Sequence, residues 1–213
     1  MTDVAAPLYT AFARYPLPRE LAICEQCGPQ WSIDDIRSTP LRSLSLPQLE
    51  ALHVMSLSDD HFRHFFPRLI ELLADEKAPV FAFNLRGLRQ RIPRWPTTEK
   101  EAVGQLVDDL WRRLLAHHPA EIGYFSDGPT LIDFTYWTDQ PLQPHLDRWS
   151  ATGTVAAAQH LGELVEAAFT TREPFDPAVK EQVLTWLRQP TIGECLGAAN
   201  LDAAEELWRV CGR

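Results

Sequence analysis

Between Ser58 and Ala74, apolar side chains recur at the three- and four-residue spacing that places them on one face of an α-helix. Ser58 suits the N-cap, and two aspartates follow it in the first turn, where carboxylates interact favourably with the free N–H groups. Pro67 lacks a backbone donor, so it predicts a kink or a break into two short helices. The predicted buried face consists of Phe62, Phe65, Phe66, Leu69, Ile70 and Leu73.

Helical spacing also recurs along the rest of the chain, in segments that prolines separate. Ser45 with Gln48, and Thr98 with Glu101, match the capping box that opens a helix. The segment 80–88 could form a strand, but we favour a helix because no other segment offers a pairing strand. Further helices are predicted over residues 98–118, 129–136, 141–149, 154–169, 177–188, 192–198 and 201–210.

These segments predict an all-α fold of about nine or ten helices joined by short turns. The sequence contains no alternating strand pattern of sufficient length and no Asn-Gly or Asp-Gly hairpin between such patterns. No fixed repeat period is visible, so we expect an irregular multi-helix bundle or a degenerate HEAT-like α-solenoid. We predict a single domain over residues 1–213, with residues 1–6 flexible.

The charge of the chain restricts its partners. It has 29 acidic and 20 basic residues, a formal net charge of −9, whereas nucleic-acid binding needs concentrated Lys and Arg. One basic run contains Arg86, Arg89, Arg91 and Arg94, and we interpret it as a solvated face rather than a site for an acidic partner. No segment has the apolar length of a membrane span, and no signal peptide is evident. We therefore expect a cytoplasmic protein that binds neither nucleic acid nor membrane.

Cys24 and Cys27 form the one short motif with recognised chemistry. Two thiolates at this spacing can bind zinc or act as a redox couple. Zinc needs two further ligands that no second CxxC or HxxxH motif supplies, and a thioredoxin-like site needs an α/β pattern that this chain lacks. We therefore favour buried or spare thiols and expect no cofactor, with zinc at Cys24 and Cys27 as the alternative.

Two other polar groupings were considered as sites of chemistry. Asp59 and Asp60 with His61 and His64 resemble a metal cluster, but first-turn aspartates beside a phenylalanine-rich core explain them better. The segment 121–137 is rich in polar and aromatic residues, yet it contains no nucleophile elbow, and the chain has no P-loop and no HExxH motif. We therefore expect no catalytic residues and predict that the protein is not an enzyme.

Four motifs lie in the first third of the chain: YPLP at 15–18, the cysteine pair at 24–27, PLRSLS at 40–45 and DDHFRHFFPRLIELL at 59–73. In these motifs the chain resembles an uncharacterised bacterial family of all-helical proteins. The later AAQHL segment at 157–161 is similar more loosely. The resemblance implies a helical fold but no activity, cofactor or catalytic residue. The arginine run at 86–94 replaces an acidic and aromatic loop of that family.

An acidic helical scaffold without a catalytic motif is typical of proteins that act by binding. We expect a non-catalytic protein-binding module, most concretely a bacterial immunity protein that binds and neutralises a toxin domain with a basic cleft. The alternative is a zinc-binding or redox-responsive regulator that uses Cys24 and Cys27. Aromatic anchors within a charged rim favour binding. On that basis the expected partner contacts are Asp127, Asp133, Trp137, Asp139 and Asp147.

Overall fold

The computed structural model describes residues 5–24, 26, 28, 30–75, 84–171 and 173–211. Within these ranges the regular structure consists of twelve α-helices and five short 3₁₀ helices, without a strand, which confirms the all-α prediction. Backbone contacts group the chain into a first unit, Met1–Leu106, and a second unit, Val107–Arg213. The single-domain organisation stays a prediction. Residues 1–4 of the predicted flexible segment and residues 80–83 of the ambiguous one lie outside the described residues.

The first unit is organised around its longest helix, whose predicted apolar face is completely buried. Phe12 of the first helix packs on that face, with ring centroids 5.3 Å from Phe66 and 5.3 Å from Trp95. The helices of this unit are α1 (Ala6–Phe12), α2 (Ile33–Ser38), α3 (Leu46–Ala51), α4 (Asp59–Asp75), α5 (Leu88–Arg91) and the first part of α6 (Thr97–Ala116). No helix was predicted over α1 or α2.

One predicted helix cap is confirmed, whereas a second cap and a predicted helix break are wrong. The Ser45 capping pair is confirmed, because the Ser45 backbone N–H donates to Gln48 Oε1 at 2.9 Å. Thr98 as the cap of α6 is wrong, since the helix begins at Thr97 and the Pro96 carbonyl already accepts from the Glu99 N–H. α4 continues through Pro67, so the predicted break does not occur. Pro67 is buried, and packing along the whole apolar face offsets the one lost hydrogen bond.

The second unit has a core of tryptophans. Trp111, Trp149 and Trp186 are buried. The ring centroids of Trp111 and Trp149 are 5.5 Å apart, and those of Trp149 and Trp186 are 5.6 Å apart. The Trp149 indole N–H donates to the Ala157 carbonyl at 2.9 Å, and a Cβ at Gly128 would come within 2.6 Å of the Trp149 ring. The helices are the remainder of α6, α7 (Gly128–Trp137), α8 (Gln143–Ala151), α9 (Val155–Thr170), α10 (Pro177–Leu187), α11 (Pro190–Ala198) and α12 (Asp202–Cys211).

The last helix lies on α9 and α11 without entering the core. None of the ten residues of α12 is buried. Its Trp208 ring lies against Gly193 of α11, so closely that any Cβ there would overlap the ring. The Trp208 indole N–H donates to the Leu187 carbonyl at 2.6 Å. α12 is therefore attached by one side only.

A buried histidine, His145, predicts that the second unit loses stability in acid. The His145 ring is 6% exposed and stacks on Trp111 with centroids 5.3 Å apart, and burial lowers the pKa of His145 although Asp108 lies nearby. Because unfolding exposes a histidine that binds a proton more readily, the free energy of unfolding should fall as the pH drops below about 6.5. His145→Phe keeps an aromatic ring stacked on Trp111 but removes the group that binds the proton. Urea unfolding at pH 7 and pH 5 should show that the free energy of unfolding falls less for this variant than for the wild type. An equal fall in both proteins would contradict the prediction.

Candidate functional site

Asp127, the first predicted partner contact, caps a helix. Its Oδ1 accepts from the Thr130 backbone N–H at 2.8 Å, and its Oδ2 accepts from the Thr130 hydroxyl at 3.0 Å. Tyr124 lies close by, and burial, followed by the charges of Asp127 and Asp133, raises the pKa of its phenol. The Asp127 carboxylate is therefore engaged inside the protein at the start of α7.

Asp133 and Trp137, on the next two turns of α7, connect this helix to the start of α10. The Asp176 backbone N–H donates to Asp133 Oδ1 at 2.8 Å, and the Trp137 indole N–H donates to Asp176 Oδ2 at 3.0 Å. Asp176 itself is the N-cap of α10. Both predicted contact residues are half-buried, so each keeps an accessible part besides its internal partner.

The remaining two predicted contacts, Asp139 and Asp147, are exposed. Asp139 follows α7 with a left-handed backbone φ of 60°. Asp147 accepts from the Gln143 amide at 2.7 Å, and Gln143 in turn accepts from the Gln182 amide at 3.1 Å. One of these carboxylates thus follows the end of α7, and the other lies in the middle of α8.

The capping role of Asp127 has a measurable consequence. Asp127→Ala should lower the free energy of unfolding by about 1 kcal/mol, because two bonds to Thr130 are lost at the helix start. Asp127→Asn retains an oxygen for the backbone N–H and should stay close to the wild-type stability. Thermal or urea unfolding of the three proteins measures this. An alanine variant as stable as the asparagine variant would contradict the role.

The predicted cysteine pair is described only in part. Cys24 is half-buried, its backbone N–H donates to the Ala51 carbonyl at 2.8 Å, and its carbonyl accepts from the Gly28 N–H at 3.0 Å. Cys27 lies outside the described residues. Zinc or redox chemistry at this pair stays a prediction.

A buried ionic network in the first unit was not predicted from the sequence. Glu99 is fully buried, and its Oε1 accepts from the Tyr15 hydroxyl at 2.7 Å and from the Arg14 guanidinium. Its Oε2 lies 3.6 Å from Arg63 Nε, an ion-pair distance rather than a hydrogen bond. Arg63 also donates to Asp59 Oδ2 at 2.6 Å, so α4 and α6 share one guanidinium.

The network extends into the arginine run. Arg91 donates to the carbonyls of Met55 and Leu57 at 2.9 Å each and lies 3.9 Å from Asp59, and burial lowers its pKa. Arg86 and Arg94 are exposed, which fits the predicted solvated face. Arg91 therefore differs from its neighbours, because its guanidinium donates to two backbone carbonyls of the segment 55–57. The three acidic members of the network, Asp59, Asp60 and Glu99, match three basic ones, Arg14, Arg63 and Arg91.

Among the described residues, one group of His, Cys, Asp and Glu side chains brings three ligand atoms within 4.8 Å of one another. It consists of His118, after α6, with His160 and Glu163 on α9. His118 Nε2 lies 2.8 Å from Glu163 Oε1, and His160 Nδ1 lies 3.3 Å from Glu163 Oε2. Asp59, Asp60, His61 and His64, which the sequence indicates to be first-turn and core-edge residues, do not form such a cluster. His64 instead contacts the Tyr15 carbonyl through Nδ1 at 2.9 Å.

The second unit also contains an open cavity of about 340 Å³ between α8, α9 and α11. Its walls are mostly apolar, with Trp149 and Leu161 at the base and Val155, 70% exposed, at the edge. Cys195 lines it, and burial raises the pKa of this thiol, so the less nucleophilic protonated form is favoured.

No family model, no curated protein and no solved structure matches the chain. The resemblance to the bacterial helical family stays a prediction. Within the described ranges, no helix combines the length and apolar character needed to cross a bilayer.

Proposed function

We propose that the protein is a non-catalytic protein-binding module and that its second unit docks on a basic partner. The uneven distribution of charge between the two units carries this proposal. Residues 1–106 contain 13 acidic and 12 basic residues, whereas residues 107–213 contain 16 acidic and 8 basic residues. The second unit thus carries −8 of the net charge of −9. A field of one sign speeds the encounter with an oppositely charged partner.

Local ion pairs support this assignment because they hold several basic side chains of the second unit against neighbouring carboxylates. Arg112 and Arg113 pair with Asp109, Arg148 pairs with Asp108, and Arg209 pairs with Glu205. Exposed acidic side chains then dominate the outward field. They include Glu121, Asp139, Asp147, Glu166, Glu173, Glu194, Asp202 and Glu206.

Asp139 and Asp147 are the predicted contacts best suited to touch a partner. Both are exposed, and the half-buried Trp137 ring adds an aromatic group next to Asp139. An aromatic anchor with charged residues at its edge is a common composition for an interface. Asp127 and Asp133 contribute mainly by fixing α7.

The most concrete form of the proposal is a bacterial immunity protein. An inhibitor of a nuclease-like or otherwise basic toxin cleft needs an acidic surface on a rigid scaffold, and the second unit offers both. We propose a cytoplasmic location, where such an inhibitor protects the producing cell. The irregular helical bundle would then serve to present loops and helix ends.

The test uses a secreted or phage-like toxin domain encoded beside this chain. Co-expression should protect cells from that toxin, and the purified proteins should associate more slowly as salt rises, because screening weakens the steering field. Failure to bind or neutralise the toxin would overturn the immunity role.

Charge-reversal variants locate the docking surface. Asp139→Lys with Asp147→Lys should slow association by about tenfold or more, within the range over which electrostatic steering acts. Asp34→Lys with Glu101→Lys makes the same change in net charge at exposed positions of the first unit and should alter the rate far less. Equal effects of the two double variants would contradict docking by the second unit.

A further inference from the structure

The hydrogen bonds of His160 leave one of its ring nitrogens facing a carboxylate. His160 Nε2 lies 3.0 Å from the His117 carbonyl, and a carbonyl oxygen only accepts, so Nε2 carries the hydrogen. In a neutral ring Nδ1 is then a lone pair, and it faces Glu163 Oε2 at 3.3 Å. Two acceptors at this distance repel unless a proton or a metal ion lies between them.

The spacing of the ligand atoms fits a metal ion. Zinc bonds of about 2.0–2.1 Å in a tetrahedral arrangement place neighbouring ligand atoms roughly 3.3 Å apart. The distances from the Glu163 carboxylate to His160 Nδ1 and to His118 Nε2 are 3.3 Å and 2.8 Å. The centroids of the two imidazole rings are 4.5 Å apart, so both nitrogens approach one carboxylate. The Glu163 side chain is 54% exposed, so it has room to adjust around an ion.

The surroundings of His160 are those of a ligand held in place. Histidines that bind a metal usually donate their second ring N–H to a carbonyl or carboxylate, which fixes the tautomer and the ring orientation. The His117 carbonyl has this role for His160, whose side chain is 1% exposed. Glu163 is 54% exposed, so a fourth coordination position opens to solvent.

We propose that His118 Nε2, His160 Nδ1 and the Glu163 carboxylate bind a divalent transition-metal ion of the zinc class, with water as the fourth ligand. Two imidazoles and one carboxylate form a ligand set that such ions favour. The ion joins the turn after α6 to α9, entirely within the second unit. This site is separate from the cysteine pair and independent of the proposed partner binding.

The experiment is a calorimetric titration of metal-free full-length protein with Zn²⁺. Wild-type protein should bind one ion saturably. Glu163→Gln and His118→Gln should each weaken binding by at least about tenfold, since even loss of an outer-shell partner has that effect. Glu166→Gln, an exposed carboxylate one turn further along α9, is the matched control and should leave the affinity unchanged. Circular dichroism verifies that each variant is folded.

Co²⁺ as a second probe identifies the ligand type. Visible d–d bands without thiolate-to-cobalt charge transfer are expected, and they should disappear in Glu163→Gln. Three results would overturn the proposal: no saturable binding, binding that both ligand variants leave intact, or thiolate bands that vanish in Cys24→Ser.

Discussion

Glu99→Ala should lower the free energy of unfolding by about 3–5 kcal/mol, the cost of removing one partner of a buried ion pair. Glu99 is fully buried, and Arg63, only 9% exposed, faces it at 3.6 Å. Without the carboxylate, the Arg63 charge stays buried with less compensation, and the Tyr15 hydroxyl loses its acceptor. Urea unfolding followed by far-UV circular dichroism measures the change.

The same helix provides the control. Glu101 is exposed, and Glu101→Ala should change the stability by less than about 0.5 kcal/mol. Replacing both charges, with Glu99→Leu and Arg63→Met together, should cost less than Glu99→Ala alone, because no charge is then left buried without its partner. If the Glu99→Ala and Glu101→Ala variants were equally stable, the buried ionic network would contribute nothing to the free energy of unfolding.

Trp149→Ala should also cost about 3–5 kcal/mol, through the loss of a large buried ring. Trp149 lies between Trp111 and Trp186 and covers Gly128 at the start of α7. Its removal leaves a space bordered by α6, α7, α9 and α10, and these helices cannot fill it without moving. Thermal unfolding should show the destabilisation, and the near-UV circular dichroism of the folded variant should be weaker than that of the wild type.

Two comparisons separate packing from hydrogen bonding at this position. Trp149→Phe keeps most of the ring but leaves the Ala157 carbonyl without its donor, so it should cost less than the alanine variant. Gly128→Ala should be destabilising by about 1–3 kcal/mol in the wild type and nearly neutral beside Trp149→Ala, where the clashing ring is absent. If the effects of Gly128→Ala and Trp149→Ala on stability were additive, the direct contact between these two residues would be contradicted.

The sequence predicted those parts of the fold that depend on local spacing. The long helices α4, α6 and α9 follow from apolar periodicity, and the Ser45 cap from residues three apart. α1 and α2 were missed because they have only seven and six residues, and helices that short are stable mainly through tertiary packing. Phe12 supplies that packing for α1.

The candidate sites were harder to predict because their residues meet through the fold. Glu99 meets Tyr15 across 84 positions of sequence, so no local pattern indicated that this glutamate is buried. The sequence predicts Asp127 and Asp133 as partner contacts, whereas in the structure they accept hydrogen bonds from the Thr130 and Asp176 backbone N–H groups. For the proposed metal site, a usable signal was present: His160 and Glu163 lie three apart on one helical face, and His118 lies two residues after the end of α6.

The one-sided attachment of α12 determines which part of the second unit opens first. With none of its residues buried, the helix has less apolar burial to lose on detaching than α9, which buries six of its residues. Local opening should therefore release α12 while the tryptophan core stays closed, and its amides should exchange with deuterium ahead of those of α9. Each release would uncover Gly193 and the adjoining surface of α11, which Trp208 covers in the closed state.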